Sequence, residues 1–170
     1  HGRDHITHAK LGLDADGNFT ALKVETYANM GAYLSTFASS VPTYLYATLL
    51  AGVYKTPVIY ANVKAIFTNT VPVDAYRGAG RPEASYLLER IVDKAARETG
   101  LDQVDIRTKN MIAPDAFPYQ TPVALAYDSG DYQATLASAM KLGNVDGFSE
   151  RRKLSENHGK KRGLGYSTYI

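Results

Sequence analysis

Apolar and polar side chains alternate cleanly near the start of the chain. From residue 5 to 13, Thr7, Ala9, Leu11 and Leu13 fall on one side, with His8 and Lys10 on the other. From 19 to 28, Leu22, Val24, Thr26 and Ala28 oppose Lys23, Glu25 and Tyr27. A period of two is the signature of a half-buried strand. Between the two runs, Asp14-Ala15-Asp16-Gly17-Asn18 supplies residues that tolerate left-handed backbone angles, so the pattern predicts a β-hairpin. Residues 29–40 are small and polar around Gly31 and read as a loop. A short helix is expected from Pro42 to about Leu50, ended by Gly52. The next run, about 58–68, is rich in Val, Ile, Tyr and Phe and is apolar on both faces, which predicts a strand buried on two sides.

The period then changes to that of a helix. After a loop from Asn69 to Arg81, Pro82 stands where a first helical residue belongs, since its missing N–H would be unpaired there anyway. Ala84, Leu87, Leu88, Ile91, Val92 and Ala95 recur at helical spacing, and Gly100 supplies a C-cap. Asp102 caps a second helix reaching about Met111. Residues 113–130 are broken by Pro114, Pro118 and Pro122. A helix of about 131–142 carries Leu136, Ala139 and Met140 on one side, and another short helix covers about 145–158. Lys160-Lys161-Arg162 leads into Gly163-Leu164-Gly165-Tyr166-Ser167-Thr168-Tyr169-Ile170, which reads as a strand beginning. The chain opens at His1-Gly2-Arg3-Asp4 without Met, and both ends read as cuts in a longer polypeptide. Strands first and helices after give an α+β fold, with antiparallel or mixed strands and several packed helices.

Composition removes several classes of function. At 170 residues, 45% hydrophobic and 21% charged, the chain is one globular domain in size and neither disordered nor fibrous. A net charge of +2 with mixed signs is too weak for a nucleic-acid footprint. With no cysteine, the chain holds no disulfide, thiolate metal site or iron–sulfur ligand. The longest apolar stretches fall well short of a membrane span.

The candidate chemistry lies in Ala75-Tyr76-Arg77-Gly78-Ala79-Gly80-Arg81-Pro82-Glu83-Ala84. Its two glycines remove side chains where something must approach the backbone closely. The helix that follows adds N–H groups and a partial positive charge, and Arg77 and Arg81 are permanent cations. Together they suit an anionic or oxo-bearing ligand. The alternative reading is a tight turn before a helix, in a non-catalytic binding or structural module. Nucleotide-binding motifs do not apply, because Glu83 stands where the dinucleotide fingerprint needs a third glycine and no phosphate-loop Gly-Lys-Ser/Thr is present. Among other groups, His1, His5, His8 and His158 are scattered and predict no metal site. Glu83 fits helix electrostatics better than a base, and Asp74 stands near enough in sequence to orient Arg77.

The decapeptide Ala75–Ala84 resembles the active-site loop of the xanthine oxidase family of molybdenum hydroxylases, in its carbon monoxide dehydrogenase-like (form II) branch. His1-Gly2-Arg3-Asp4-His5, Asn29-Met30-Gly31-Ala32-Tyr33, Tyr54-Lys55-Thr56-Pro57, Thr68-Asn69-Thr70-Val71-Pro72 and Arg107-Thr108-Lys109-Asn110-Met111 are similar to segments of the same large subunit, in the same order. The resemblance implies part of a molybdopterin-binding domain. Residues 1–160 would belong to the first such domain and 161–170 to the start of the next, through Lys161-Arg162-Gly163-Leu164-Gly165. It also implies that Arg77 lies against the molybdenum centre and that Gly78, Ala79 and Gly80 line the substrate side. The cofactor would be molybdopterin cytosine dinucleotide with molybdenum, in an enzyme that hydroxylates with oxygen derived from water. Electrons would pass to 2Fe–2S clusters and FAD on a small and a medium partner subunit. A cytoplasmic, bacterial enzyme is the expectation, with its general-base glutamate outside this sequence.

The resemblance bears on substrate too. The carbon monoxide branch has a copper-holding cysteine where this chain has Gly78. The purine branch has an arginine at the place of Leu45 and a stacking phenylalanine at the place of Ala79. A neutral aldehyde or N-heterocycle is therefore the expected substrate.

Overall fold

A computed structural model describes residues 4–170 of the chain. The predicted hairpin is present. β1 (His5–Leu13) runs antiparallel to β2 (Phe19–Gly31), with His5 opposite Ala28 and Leu11 opposite Leu22. The turn forms because the Asp14 carboxylate accepts from the amides of Asp16 and Asn18 and from the Asn18 side chain, at 2.8 to 3.0 Å, while Gly17 takes φ +83°. β2 is longer than the alternation predicts and continues through Asn29 to Gly31. Its end is held by partners distant in sequence: Asn29 and Gly31 pair with Ile66 and Phe67, and the Asn29 amide donates to Asp4.

β3 (Ile59–Phe67) lies parallel to β2, so the sheet is mixed and its order is β1-β2-β3. A parallel neighbour needs a crossover. It is made by helical turns of three pitches: a 3₁₀ turn at Ala38–Ser40, a π turn at Val41–Leu45 and α1 (Tyr46–Thr48). The helix expected from Pro42 thus starts earlier and changes pitch along its length. The expectation that β3 is buried on both faces fails. β3 is an edge strand, Tyr60 is 50% and Phe67 63% exposed, and no described element covers its outer face.

α2 (Arg81–Thr99) begins at Arg81, so Pro82 is its second residue and Gly80 its N-cap. Ala84, Leu88, Val92 and Ala95 are buried at helical spacing, and Gly100 closes the helix at φ +75°. α3 (Gln103–Asn110) starts where the Asp102 carboxylate accepts from the Val104 and Asp105 amides. A two-stranded ribbon of β4 (Tyr119–Gln120) and β5 (Ala126–Tyr127) follows, then α4 (Tyr132–Leu142) and α5 (Phe148–Asn157). The terminal strand predicted after Arg162 is not formed, since residues 160–170 are irregular. The alternation behind that prediction is real: Tyr166, Thr168 and Ile170 are half-buried, while Ser167 and Tyr169 are exposed. The segment instead lies along α2 and α3 as an extended strap, in contact with Arg81, Glu89 and Arg107.

The core sits between the inner face of the sheet and α1–α3. Leu22, Val24, Tyr46, Leu50, Ala84 and Leu88 pack at one end, and Phe19, Tyr54, Val92, Ile106 and Met111 at the other. Ile170 packs against both groups. No described helix is long and apolar enough to cross a membrane.

Candidate functional site

The segment 67–80 carries the loop, and its route is fixed by the end of β2. Asn29 Nδ2 donates to Asp4 Oδ2 (2.8 Å) and Thr70 Oγ1 (3.2 Å), while Asn29 Oδ1 accepts from Thr68 Oγ1 (2.6 Å) and the Gly31 amide (2.8 Å). Gly31, at φ +76°, lets Val71 and Pro72 pass so close that a Cβ there would lie 2.3 Å from the Val71 carbonyl oxygen. Met30, Ala38 and Val73 then form a small buried cluster that brings the chain to the loop.

At the loop the backbone does something rare. Gly78, Ala79 and Gly80 all have positive φ, at +103°, +46° and +93°. Two turns lock it: the Ala79 amide donates to the Tyr76 carbonyl and the Arg81 amide to the Gly78 carbonyl, both at 3.0 Å. Sequence reasoning expected something to approach the glycines closely, and the chain itself does. A Cβ on Gly80 would lie 2.6 Å from the Tyr46 amide nitrogen and 2.9 Å from the Leu45 carbonyl carbon; one on Gly78 would lie 2.6 Å from the Pro82 ring. The loop is wedged between the crossover and its own helix. Leu45 therefore stands directly against it.

Charge is arranged on this frame. Arg77 is exposed, Arg81 is half-buried, and the 19-residue α2 starts here with no side-chain cap on its N-terminus. Long helices concentrate partial positive charge at that end. The Asp74 carboxylate accepts from the adjacent Ala75 amide (2.7 Å). Beside the loop, a groove of about 660 Å³ separates β1 from α2, with His5, Tyr46, Glu83, Leu87 and Ile91 on its walls. Glu83 is half-buried, more enclosed than an ordinary first-turn carboxylate, and its charge acts on His5 and Tyr46. Burial lowers the His5 pKa despite the opposing charges of Glu83 and Asp4, and the ring meets Tyr46 edge-on at 4.8 Å. His8 is exposed on β1, and His158 contacts the Leu154 carbonyl in α5. The described histidines do not converge, and His1 lies outside the described residues.

The motif around Arg107 is a buried polar centre that its sequence does not announce. Arg107 is 0% exposed and bonds Glu89 Oε2 (2.9 Å), Asp93 Oδ1 (2.8 Å) and the Gln103 carbonyl (2.9 Å). Glu89 Oε1 accepts from Tyr54 (2.7 Å) and Thr168 (2.6 Å). Burial works against the charged guanidinium, yet Tyr54, Glu89 and Asp93 hold the Arg107 pKa above its ordinary value; burial likewise drives the Tyr54 hydroxyl up. Asn110 completes the motif, accepting from the Phe19 amide (2.7 Å) and donating to the Gly17 carbonyl (3.0 Å), so α3 grips the hairpin. A glutamate at 89 amid the buried positions of α2 was the available signal, because a carboxylate there needs a cation.

The family model for the molybdopterin cofactor-binding domain matches residues 1–111, and the chain belongs to that family, among relatives of the xanthine oxidase group of molybdenum hydroxylases. It is 32% identical over 170 residues to the 6-hydroxypseudooxynicotine dehydrogenase complex subunit gamma of Paenarthrobacter nicotinovorans, covering 97% of this chain and 21% of that protein. It is 37% identical over 143 residues to the carbon monoxide dehydrogenase large chain of Hydrogenophaga pseudoflava, covering 81% and 17% respectively. Quinoline 2-oxidoreductase from Pseudomonas putida 86 superposes with a TM-score of 0.84 at 28% identity, over 93% of this chain and 20% of that one. The chain thus spans about a fifth of the length of these relatives.

Proposed function

We propose that the chain forms one wall of the molybdenum site in the large subunit of a hydroxylase, with Arg77, Gly78, Ala79 and Gly80 facing the cofactor. The observation that carries this reading is the exposed Arg77 beside a loop of three left-handed residues, at the start of α2 where no side chain caps the helix. The positive charge there suits an anionic, oxo-bearing group. The group expected is molybdopterin cytosine dinucleotide with molybdenum, which when bound supplies the hydroxylation chemistry and the route for electrons. FAD and 2Fe–2S clusters on partner subunits belong to the same proposal, as do a cytoplasmic setting and a passage at 161–170 from the first molybdopterin-binding domain into the next.

What this chain adds is orientation and selectivity. Arg77, exposed in this chain, would offset negative charge on the bound group, most strongly where the complete site excludes water. Gly78 has no side chain and cannot ligate a second metal. Ala79 leaves room where a bulkier side chain would stack on a ring. Leu45, held against Gly80, offers no charged contact to a substrate. These features favour a neutral aldehyde or N-heterocycle. The test uses the purified holoenzyme, assayed with carbon monoxide, xanthine, aldehydes and N-heterocycles while copper is measured. Turnover of a neutral aldehyde or heterocycle is expected, and Arg77→Ala should lower it about 10²- to 10³-fold without unfolding the protein. Efficient carbon monoxide oxidation with stoichiometric copper would overturn the substrate assignment, and a harmless Arg77→Ala the role of the loop.

A further inference from the structure

We propose that Arg81 is a positioning residue that clasps the strap 166–170 across the start of α2 and thereby fixes the Arg77–Gly80 loop. The inference rests on the cofactor-site reading of that loop and identifies what holds it.

A left-handed alanine flanked by left-handed glycines persists only where its surroundings over-determine it. On one side the wedge of Gly80 against Leu45 and Tyr46 does so. On the other side stands the strap. Its inward residues are anchored in order along α2 and α3: the Tyr166 carbonyl accepts from Arg107 (3.4 Å), Thr168 donates to Glu89 (2.6 Å), and the Ile170 carbonyl accepts from Arg81 Nε (3.0 Å). Between the last two anchors, the hydroxyl of the outward-facing Tyr169 lies 3.3 Å from the position a Gly78 Cβ would occupy. Arg81 is the point where strap and loop meet. Its amide closes the turn on the Gly78 carbonyl, and its guanidinium holds Ile170, 89 residues away in sequence. A charge-assisted bond from a half-buried cation is strong enough to set such a register.

The experiment compares Arg81→Ala and Arg81→Lys in the full-length protein, with and without cofactor. In the cofactor-free form, hydrogen exchange at residues 76–81 should accelerate in Arg81→Ala and return towards the parent rate in Arg81→Lys. In the holoenzyme, Arg81→Ala should lower kcat by roughly tenfold to a hundredfold with KM little changed, as expected for a displaced reacting geometry. The Mo(V) resonance spectrum should shift as well. A lowered unfolding midpoint with unchanged loop exchange and unchanged spectrum would make Arg81 merely structural and overturn the proposal, as would no change at all. Should Arg81→Ala fail to accumulate, Thr168→Ala loosens the same strap from Glu89 and must raise exchange at 76–81; its failure to do so overturns the proposal equally. Arg77→Ala separates the two claims. If it leaves turnover and spectrum intact, the cofactor-site reading fails, while the exchange data still decide for or against the clasp.

Discussion

Two arginines define the two halves of this molecule. Arg107 is wholly buried, with its charge neutralised by Glu89 and Asp93 and its remaining donors turned to backbone carbonyls. Arg77 is exposed, on a loop whose neighbours spend conformational energy to keep it in place. Both stand in segments that resemble the same family, yet one is enclosed by partners and the other is exposed. A buried guanidinium closed on every side holds elements together and has nothing left to offer a ligand. On the function proposed above, Arg77, exposed beside a strained, wedged backbone, would be held in place for the cofactor.

The comparison is broken most directly at Arg107. Replacing it with alanine leaves the Glu89 carboxylate buried without its cation, a change that costs about 3–5 kcal/mol. Urea unfolding of Arg107→Ala should show a loss of that size, while Arg77→Ala should unfold like the parent. A cost below about 1 kcal/mol at Arg107 would mean that the centre is weakly coupled to the fold.

Gly80 and Gly100 sharpen the distinction within α2 itself, since they flank its two ends with similar positive φ. An alanine at Gly100 meets nothing within 4 Å, so only the left-handed backbone is penalised, by about 1–2 kcal/mol. An alanine at Gly80 carries that penalty and also drives a methyl into the Leu45–Tyr46 backbone, adding roughly 1–3 kcal/mol. Thermal unfolding of the two variants should differ accordingly. Equal losses would show that the wedge yields without cost, and that Gly80 is present only for its backbone angle.

The same contrast explains what could be read from sequence. The hairpin and α2 were legible because their signals are local: alternation with an Asp–Gly–Asn turn in one, helical spacing bounded by Pro82 and Gly100 in the other. The loop at Arg77 was legible through its resemblance and its glycines, although the object that crowds Gly80 was not. What escaped is carried by distant pairs. β2 runs on to Gly31 because residues 66 and 67 pair with it. β3 looked doubly buried because its apolar content says nothing of how many layers cover it. Arg107 entered only as part of a resembling segment, and its burial was not legible, since its partners lie 14 and 18 positions away and its strap contact 59. The Arg81 contact with Ile170 escaped for the same reason, since it spans 89 positions.

The smallest effect separates the two regions by pH. His5 packs edge-on against Tyr46, the residue on which the Gly80 wedge rests, and burial holds its pKa below the ordinary 6.5. In the window between the folded value and 6.5, the unfolded chain binds the proton more readily than the folded one, so stability falls as pH falls. Above 6.5 the contribution is complete, and below the folded pKa it levels off. Unfolding midpoints of the parent and of His5→Phe, measured from neutral to mildly acidic pH, should therefore diverge: the parent loses stability below 6.5 and the variant loses less. The Arg107 centre, whose guanidinium stays charged throughout this range, should contribute nothing to that difference. Parallel curves for the two proteins would mean that His5 titrates as it does in the unfolded chain and that the loop side is no more sensitive to pH than the core.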